Sequence, residues 1–190
     1  MPNLVRARGG AIGAAAVAAA LSAGASDAIG EPLPPARVSA IAGGKLGTGA
    51  LFDQLGAGLV WGFEGAYAPL RAPQTIGLGV TWSVLWSDFF GGSARVADAW
   101  KTVEFDLGLR LRLMIGARRR AVAYLAGGAV LTRANESPFA DDDRSFIGPW
   151  GGFGLEAGIL GLVVTGGARF AVLDQSQGTL ALTLSVGLGR

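Results

Sequence analysis

The side chains best suited to chemistry lie in one alternating row between Lys101 and Ile115. Glu104, Asp106, Arg110 and Arg112 share one parity within this segment. Two nearby carboxylates could serve as an acid–base pair, but the arginines would hold both ionised, which disfavours a general acid. The chain has no His and no Cys, so it lacks the commonest general base, a thiol nucleophile and the usual transition-metal ligands. We therefore expect neither enzyme activity nor a cofactor.

Three consecutive carboxylates form the second candidate group. Hard cations such as Ca²⁺ or Mg²⁺ bind clustered carboxylate oxygens, so a weak cation loop is one interpretation, and a solvated loop is the one we favour. The residues are Asp141, Asp142 and Asp143.

A glycine motif at Gly152, Gly154 and Ala157 matches the dinucleotide fingerprint GxGxxA in form only. That fingerprint needs a strand before it and a helix after it. Here the glycines fall on one face of a predicted strand, so we expect no bound nucleotide.

The elements that carry these residues alternate with a period of two. In Lys101–Ile115 every second residue from Val103 onward is apolar, which a strand gathers on one face and a helix would scatter. The alternation is long for a soluble strand and suits a tilted bilayer crossing. The same pattern predicts eight strands, at Arg37–Gly44, Gly58–Ala68, Thr75–Ser87, Lys101–Ile115, Ala121–Arg133, Trp150–Ile159, Val163–Leu173 and Thr179–Leu188.

The composition of the two faces predicts which one points outward. One face is apolar and almost free of charge, as lipid contact requires, while the other is mainly Gly, Ala, Ser and Thr, which fit a narrow barrel interior. Its few charges have both signs and could pair across the lumen, which favours a salt-bridged plug over a gated ion path. This predicted charge network comprises Glu64, Glu104, Asp106, Arg110, Arg112, Glu156 and Arg169.

The N-terminal residues have the features of a secretory signal. Arg6 and Arg8 precede an Ala-rich apolar run, and Ala23-Gly24-Ala25 fits a cleavage site. We expect a signal peptide at 1–25, a linker at 26–35 and the barrel at 36–190. Of the 16 basic residues, 14 remain after loss of Arg6 and Arg8, against 14 acidic ones. A neutral mature chain gives no reason to expect a nucleic-acid partner.

The predicted connections alternate between long and short, beginning with the long segment Lys45–Ala57. Outer-membrane barrels place short turns in the periplasm and long loops outside, which puts the N-terminus on the periplasmic side. An incomplete aromatic girdle is expected near the outer strand ends, from Trp82, Trp86, Trp100 and Trp150.

The eight alternating segments of 36–190 resemble the small eight-stranded outer-membrane β-barrels of the OmpA-barrel, OmpX and OmpW type, by architecture and not by motif. This resemblance implies an all-β, antiparallel up-and-down transmembrane barrel in the bacterial outer membrane. Its implied partners are membrane lipid, lipopolysaccharide and the barrel-assembly machinery. Such chains typically end in an aromatic residue, whereas this one ends Val186-Gly-Leu-Gly-Arg190.

Enzymatic barrels of this size use a catalytic His, which this chain lacks. The resemblance therefore favours a non-enzymatic protein with a filled lumen that stabilises the envelope or presents its loops. Two alternatives stay open: a narrow channel for small apolar molecules or ions, and a soluble periplasmic ligand-binding barrel.

Overall fold

Eight antiparallel strands form one closed sheet in the computed structural model, which confirms the predicted fold class. The structure describes residues 33–49, 56–69, 75–90, 101–115, 121–135, 143–174 and 177–189. The strands are β1 (Ala36–Gly49), β2 (Ala57–Tyr67), β3 (Ile76–Phe90), β4 (Lys101–Ile115), β5 (Ala121–Asn135), β6 (Asp143–Ile159), β7 (Leu162–Asp174) and β8 (Gln177–Gly189).

Each strand pairs with its neighbour in sequence, and β1 pairs with β8 to close the barrel. The closing register runs from Arg37 opposite Gly189 to Gly49 opposite Gln177. We call the end with Ala36 and Gly189 the terminal end; it also carries connections 68–75, 116–120 and 160–161. The opposite, loop end carries connections 50–56, 91–100, 136–142 and 175–176.

Burial alternates along the strands and divides the polar from the apolar side chains. On β4, Glu104, Asp106 and Arg110 are buried inside the barrel, whereas Leu107 is 67% exposed on its outer surface. Apolar side chains cover that surface on every strand, including Val38, Phe63, Leu78, Leu125, Phe153, Phe170 and Leu182. This distribution reverses that of a soluble barrel, whose apolar face points inward.

Charges on the outer surface are confined to the loop end among the side chains that the structure describes. Their parity on β3, β4 and β5 places Asp88, Lys101 and Arg133 at outward positions. Between these positions and the terminal end lies an apolar surface, which we call the apolar belt. It consists of the outward side chains of all eight strands that lie closer to the terminal end than Lys101 and Arg133 do.

Two predicted strand bounds differ from the structure by five residues or more. Strand β1 continues past Gly44 to Gly49, and β6 begins at Asp143 instead of Trp150. Glycine and proline usually weaken or interrupt strands. In this barrel, pairing with the neighbouring strands continues past such residues, with Lys45 opposite Gly58 and Pro149 opposite Ala129.

These extensions also overturn the predicted alternation of long and short connections. Connection 68–75 at the terminal end is no shorter than 50–56 at the loop end. No helix long and apolar enough to cross a membrane occurs in the described part of the chain.

The β6–β7 turn is the tightest connection at the terminal end. Leu160 and Gly161 link the strands with φ of 52° and 77°, and positive φ at both central residues is the requirement of a type I′ hairpin.

Candidate functional site: the charged lumen

The lumen holds two groups of ion-paired side chains. The terminal-end cluster consists of Arg37, Glu64, Arg110, Arg112 and Glu156. The loop-end cluster consists of Lys45, Glu104, Asp106 and Arg169.

Glu156 is the centre of the terminal-end cluster. Arg112 donates to its Oε2 from Nε at 2.8 Å and from Nη2 at 2.5 Å. Arg110 donates to Oε1, and Arg37 Nη1 lies 3.3 Å from the same oxygen. All four side chains are buried. One carboxylate from β6 therefore holds three guanidinium groups from β1 and β4.

Arg112 also binds backbone groups at the terminal end of the lumen. Its Nη1 donates to the backbone carbonyls of Pro34 and Ala68, both at 2.9 Å. The Ala68 amide in turn donates to the Pro35 carbonyl at 2.8 Å. A β4 side chain thus joins the segment before β1 to the end of β2.

Glu64 supplies the second acid of the terminal-end cluster. It accepts a hydrogen bond from Arg37 Nη2 at 2.9 Å and one from Ser185 Oγ at 2.7 Å. Arg37 Nη1 also donates to Thr165 Oγ1. These contacts connect β1, β2, β7 and β8 across the barrel interior.

Arg169 organises the loop-end cluster from β7. It donates to Asp106 from Nε at 2.9 Å and from Nη2 at 2.5 Å, while its Nη1 lies 2.8 Å from Glu104 Oε2. Ser83 Oγ donates to Asp106 Oδ2 at 2.5 Å. Both β4 carboxylates are therefore bound by a single arginine that reaches across the lumen.

Lys45 completes this cluster from β1. Its Nζ donates to Glu104 Oε1, and to Ser87 Oγ at 3.2 Å, and lies 5.7 Å from the centre of the Phe89 ring. The Lys45 side chain is fully buried, so an unpaired ammonium here would be costly.

Apolar and aromatic side chains fill the space beside the charges. One apolar group combines Ile41, Val60, Leu85 and Ala181, and another combines Val130, Trp150 and Ala171. Trp150 Nε1 donates to the Leu107 carbonyl at 3.3 Å. The Arg110 guanidinium stacks 3.6 Å from the centre of the Tyr124 ring. Aromatic faces attract cations, so the Tyr124 ring stabilises the Arg110 guanidinium.

A small cavity of about 40 Å³ lies between the two clusters. Its walls include Glu64 and Arg110 from one cluster and Asp106 and Arg169 from the other, with Leu85 among the apolar residues. This space suits a few water molecules, which need polar partners.

All seven residues of the predicted charge network have buried side chains inside the barrel. The prediction omitted two cations of the same clusters, Arg37 and Lys45. The signal that could have found them is parity, because Arg37, Ser39, Ile41 and Lys45 are all buried at odd positions of β1. With them, the described lumen charges are five basic and four acidic.

Other predicted features fall elsewhere. The interpretation of Trp150 as a girdle residue is wrong, because Trp150 is buried in the lumen, where inward parity on β6 places it. Asp143 is the first residue of β6, whereas Asp141, Asp142, Trp100 and the signal segment 1–25 lie outside the described residues. Gly152 and Gly154 lie within β6, and the residues that follow stay in the same strand.

The lumen carboxylates that the structure describes are all ion-paired. Glu64, Glu104, Asp106 and Glu156 each contact a basic side chain. Within the described ranges, no group of three or more acidic residues is placed to hold a metal ion.

Solved structures share this architecture. Neisserial surface protein A (NspA) superimposes with a TM-score of 0.59 at 14% identity, covering 82% of this chain and 97% of that one. Ail, the attachment invasion locus protein of Yersinia pestis, gives 0.56 at 16% identity, covering 82% and 98%. The chain has the fold of a small outer-membrane β-barrel.

The outer membrane enzyme PagL also has this fold, with a TM-score of 0.51 at 12% identity over 81% of this chain and 99% of that one. No protein-family model and no curated protein matches the sequence. The likeness therefore confirms the predicted architecture and concerns the fold alone.

Proposed function

We propose that this protein is a non-enzymatic integral barrel of the bacterial outer membrane, with a lumen closed by side chains, that stabilises the envelope or presents its loops. The observation that carries the proposal is the distribution of side chains across the barrel wall. Apolar residues face out along every strand, while nine charged side chains are buried inside among the residues that the structure describes.

The apolar belt supports a membrane location. Leu78, Leu107, Leu182 and Leu188 are each more than half exposed, and water would disfavour so large an apolar surface. Hydrocarbon would favour it, and closure of the sheet leaves no unpaired strand edge in lipid.

The ion-paired clusters support a closed lumen. Arg112 and Glu156 obstruct the terminal end, and Lys45, Glu104 and Arg169 obstruct the loop end. An eight-stranded barrel is just wide enough for side chains to fill.

The proposed absence of enzyme activity rests on side-chain chemistry. The chain has no His or Cys, and the lumen carboxylates are bound by Lys or Arg. PagL shows that this fold can carry an enzyme. Because lipid is the proposed surrounding of this barrel, the test is release of fatty acid from lipopolysaccharide or phospholipid vesicles. We expect no release above that of protein-free vesicles. Release by the purified protein would overturn this part of the proposal.

The location is tested by fractionating cells that produce the full chain. We expect the protein in the outer-membrane fraction, resistant to carbonate extraction, with a mobility on SDS gels that changes on heating. Lipid, lipopolysaccharide and the barrel-assembly machinery are its proposed partners there. Recovery in the soluble periplasm would instead support the ligand-binding barrel.

A narrow conduit is the second candidate, favoured by the cavity between the two clusters. Apolar walls at Ile41, Leu85 and Ala168 could accommodate a small apolar group. A detergent tail trapped in this cavity in a crystal structure would support the conduit, whereas ordered water there would support the closed plug.

A further inference from the structure

We infer that the β6–β7 turn at the terminal end inserts into the hydrocarbon of the membrane instead of standing in water. The inference rests on the proposed membrane location and assigns a binding surface for lipid acyl chains.

Four apolar side chains form this surface, which we call the terminal patch: Ile159, Leu160, Leu162 and Leu188. Leu160 is 81% exposed and Leu188 is 69% exposed. Leu162 pairs with Ile159 on one side and with Leu188 on the other. The patch is therefore contiguous across β6, β7 and β8 and includes the turn itself.

The backbone makes the leucine at the tip of the turn unexpected. Leu160 has φ of 52°, in the left-handed region that a Cβ disfavours and that Asn, Asp or Gly adopts more readily. Leucine at this position is disfavoured by its own backbone and, when so exposed, by water. Both penalties are offset if the side chain is immersed in hydrocarbon.

The terminal patch is continuous with the apolar belt. From the Leu162–Leu188 pair toward the loop end, the outward pairs of β7 and β8 are Val164–Val186, Gly166–Leu184 and Ala168–Leu182. No charged or polar residue interrupts this series, so no polar rim separates the patch from the surface proposed to contact lipid. Continuity with the belt favours acyl chains over a protein partner as the occupant.

The test uses the absence of Cys from the chain, which allows single-site labelling. Leu160→Cys is labelled with a nitroxide, and the full barrel is refolded into phosphatidylcholine vesicles. Electron paramagnetic resonance then measures how often the label collides with oxygen, which partitions into lipid, and with a water-soluble nickel chelate. Leu107→Cys in the middle of β4 is the lipid reference, and Thr75→Cys, exposed beside β3 at the same end, is the comparison site.

We expect the Leu160 label to collide mainly with oxygen, as the Leu107 label does, and at least several-fold less with the nickel chelate than the Thr75 label does. A Leu160 label as accessible to nickel as the Thr75 label would overturn the inference. If the Leu107 label were also nickel-accessible, the barrel would not be inserted, and the proposed function would fail with it.

A second variant addresses the same point through stability. Leu160→Asn suits the left-handed backbone and suits water, so a solvated turn would gain stability from it. A turn inserted in hydrocarbon would lose stability, seen as a lower urea midpoint in vesicles. A raised midpoint would contradict the inference.

Discussion

Arg112 and Glu156 form an ion pair that joins the wall of the barrel to its terminal end. Two nitrogens of Arg112 donate to one oxygen of Glu156, at 2.8 and 2.5 Å, while the third donates to the carbonyls of Pro34 and Ala68. The same carboxylate also contacts Arg37 and Arg110. Loss of Glu156 would thus leave three buried guanidinium groups with one remaining acid, Glu64.

Glu156→Gln is expected to lower the free energy of unfolding by about 3–5 kcal/mol, because removing one partner leaves buried charge uncompensated. Glu64→Gln is the matched comparison, since Glu64 contacts one arginine and is slightly exposed. We expect it to cost about 1–3 kcal/mol. Urea unfolding in vesicles, followed by tryptophan fluorescence, measures both. Equal losses would show that Glu156 is not the centre of the cluster.

The Lys45–Glu104 pair makes a different prediction. Glu104→Met alone leaves the fully buried Lys45 ammonium without its carboxylate partner and should lower the free energy of unfolding by about 3–5 kcal/mol. Adding Lys45→Met removes that charge and packs a methionine beside Phe89, while Arg169 keeps both hydrogen bonds to Asp106. We expect the double variant to be more stable than Glu104→Met by at least about 1 kcal/mol, since apolar replacement of a buried pair is often tolerated. Additive losses would contradict this coupling.

Gly167 lies where a larger residue would collide with neighbouring protein atoms. A Cβ there would meet Tyr124 Oη and would lie 2.7 Å from the Phe153 carbonyl oxygen. Gly167→Ala should therefore destabilise the barrel by about 1–3 kcal/mol through overpacking. Gly44→Ala is the control, because a Cβ at Gly44 meets nothing within 4 Å. It should be neutral or stabilise by up to about 1 kcal/mol. The comparison uses the same urea assay, and equal effects would contradict the packing argument.

Leu107 tests the lipid contact of the outer surface. Leu107→Arg places a charge in the middle of the apolar belt and should cost about 2–4 kcal/mol in vesicles. Arginine at this position on a water-exposed surface would have little effect. A change below about 0.5 kcal/mol, the usual range for exposed sites, would contradict the membrane location.

The strand pattern was predictable from sequence wherever the two faces differ in chemistry. On β4, alternation places Glu104, Asp106 and Arg110 on one face, and the composition of the two faces assigns that face to the interior, where these side chains are buried. Strand ends were less predictable. The first strand was predicted to end at Gly44, and the connection to begin at Lys45. Pairing with β2 and β8 instead extends β1 to Gly49.

The partners within the lumen were beyond sequence analysis. Glu156 and Arg37 are 119 positions apart, yet the curvature and closure of the sheet bring them together.

The position of Trp150 was predicted wrongly, because an aromatic residue near a strand end suggested the membrane interface. Parity on β6 instead places Trp150 beside Val130 and Arg169, in the interior.

The central claim, a membrane barrel closed by paired charges, is tested most directly by single-channel recording of the purified protein in a planar lipid bilayer. Folding of the same preparation is checked by the heat-dependent shift of gel mobility, and its insertion by co-flotation with vesicles of the bilayer lipid in a density gradient. We predict that the inserted protein gives no discrete current steps, because both clusters obstruct the lumen. Large, stable steps of uniform size would contradict the closed lumen and establish a channel.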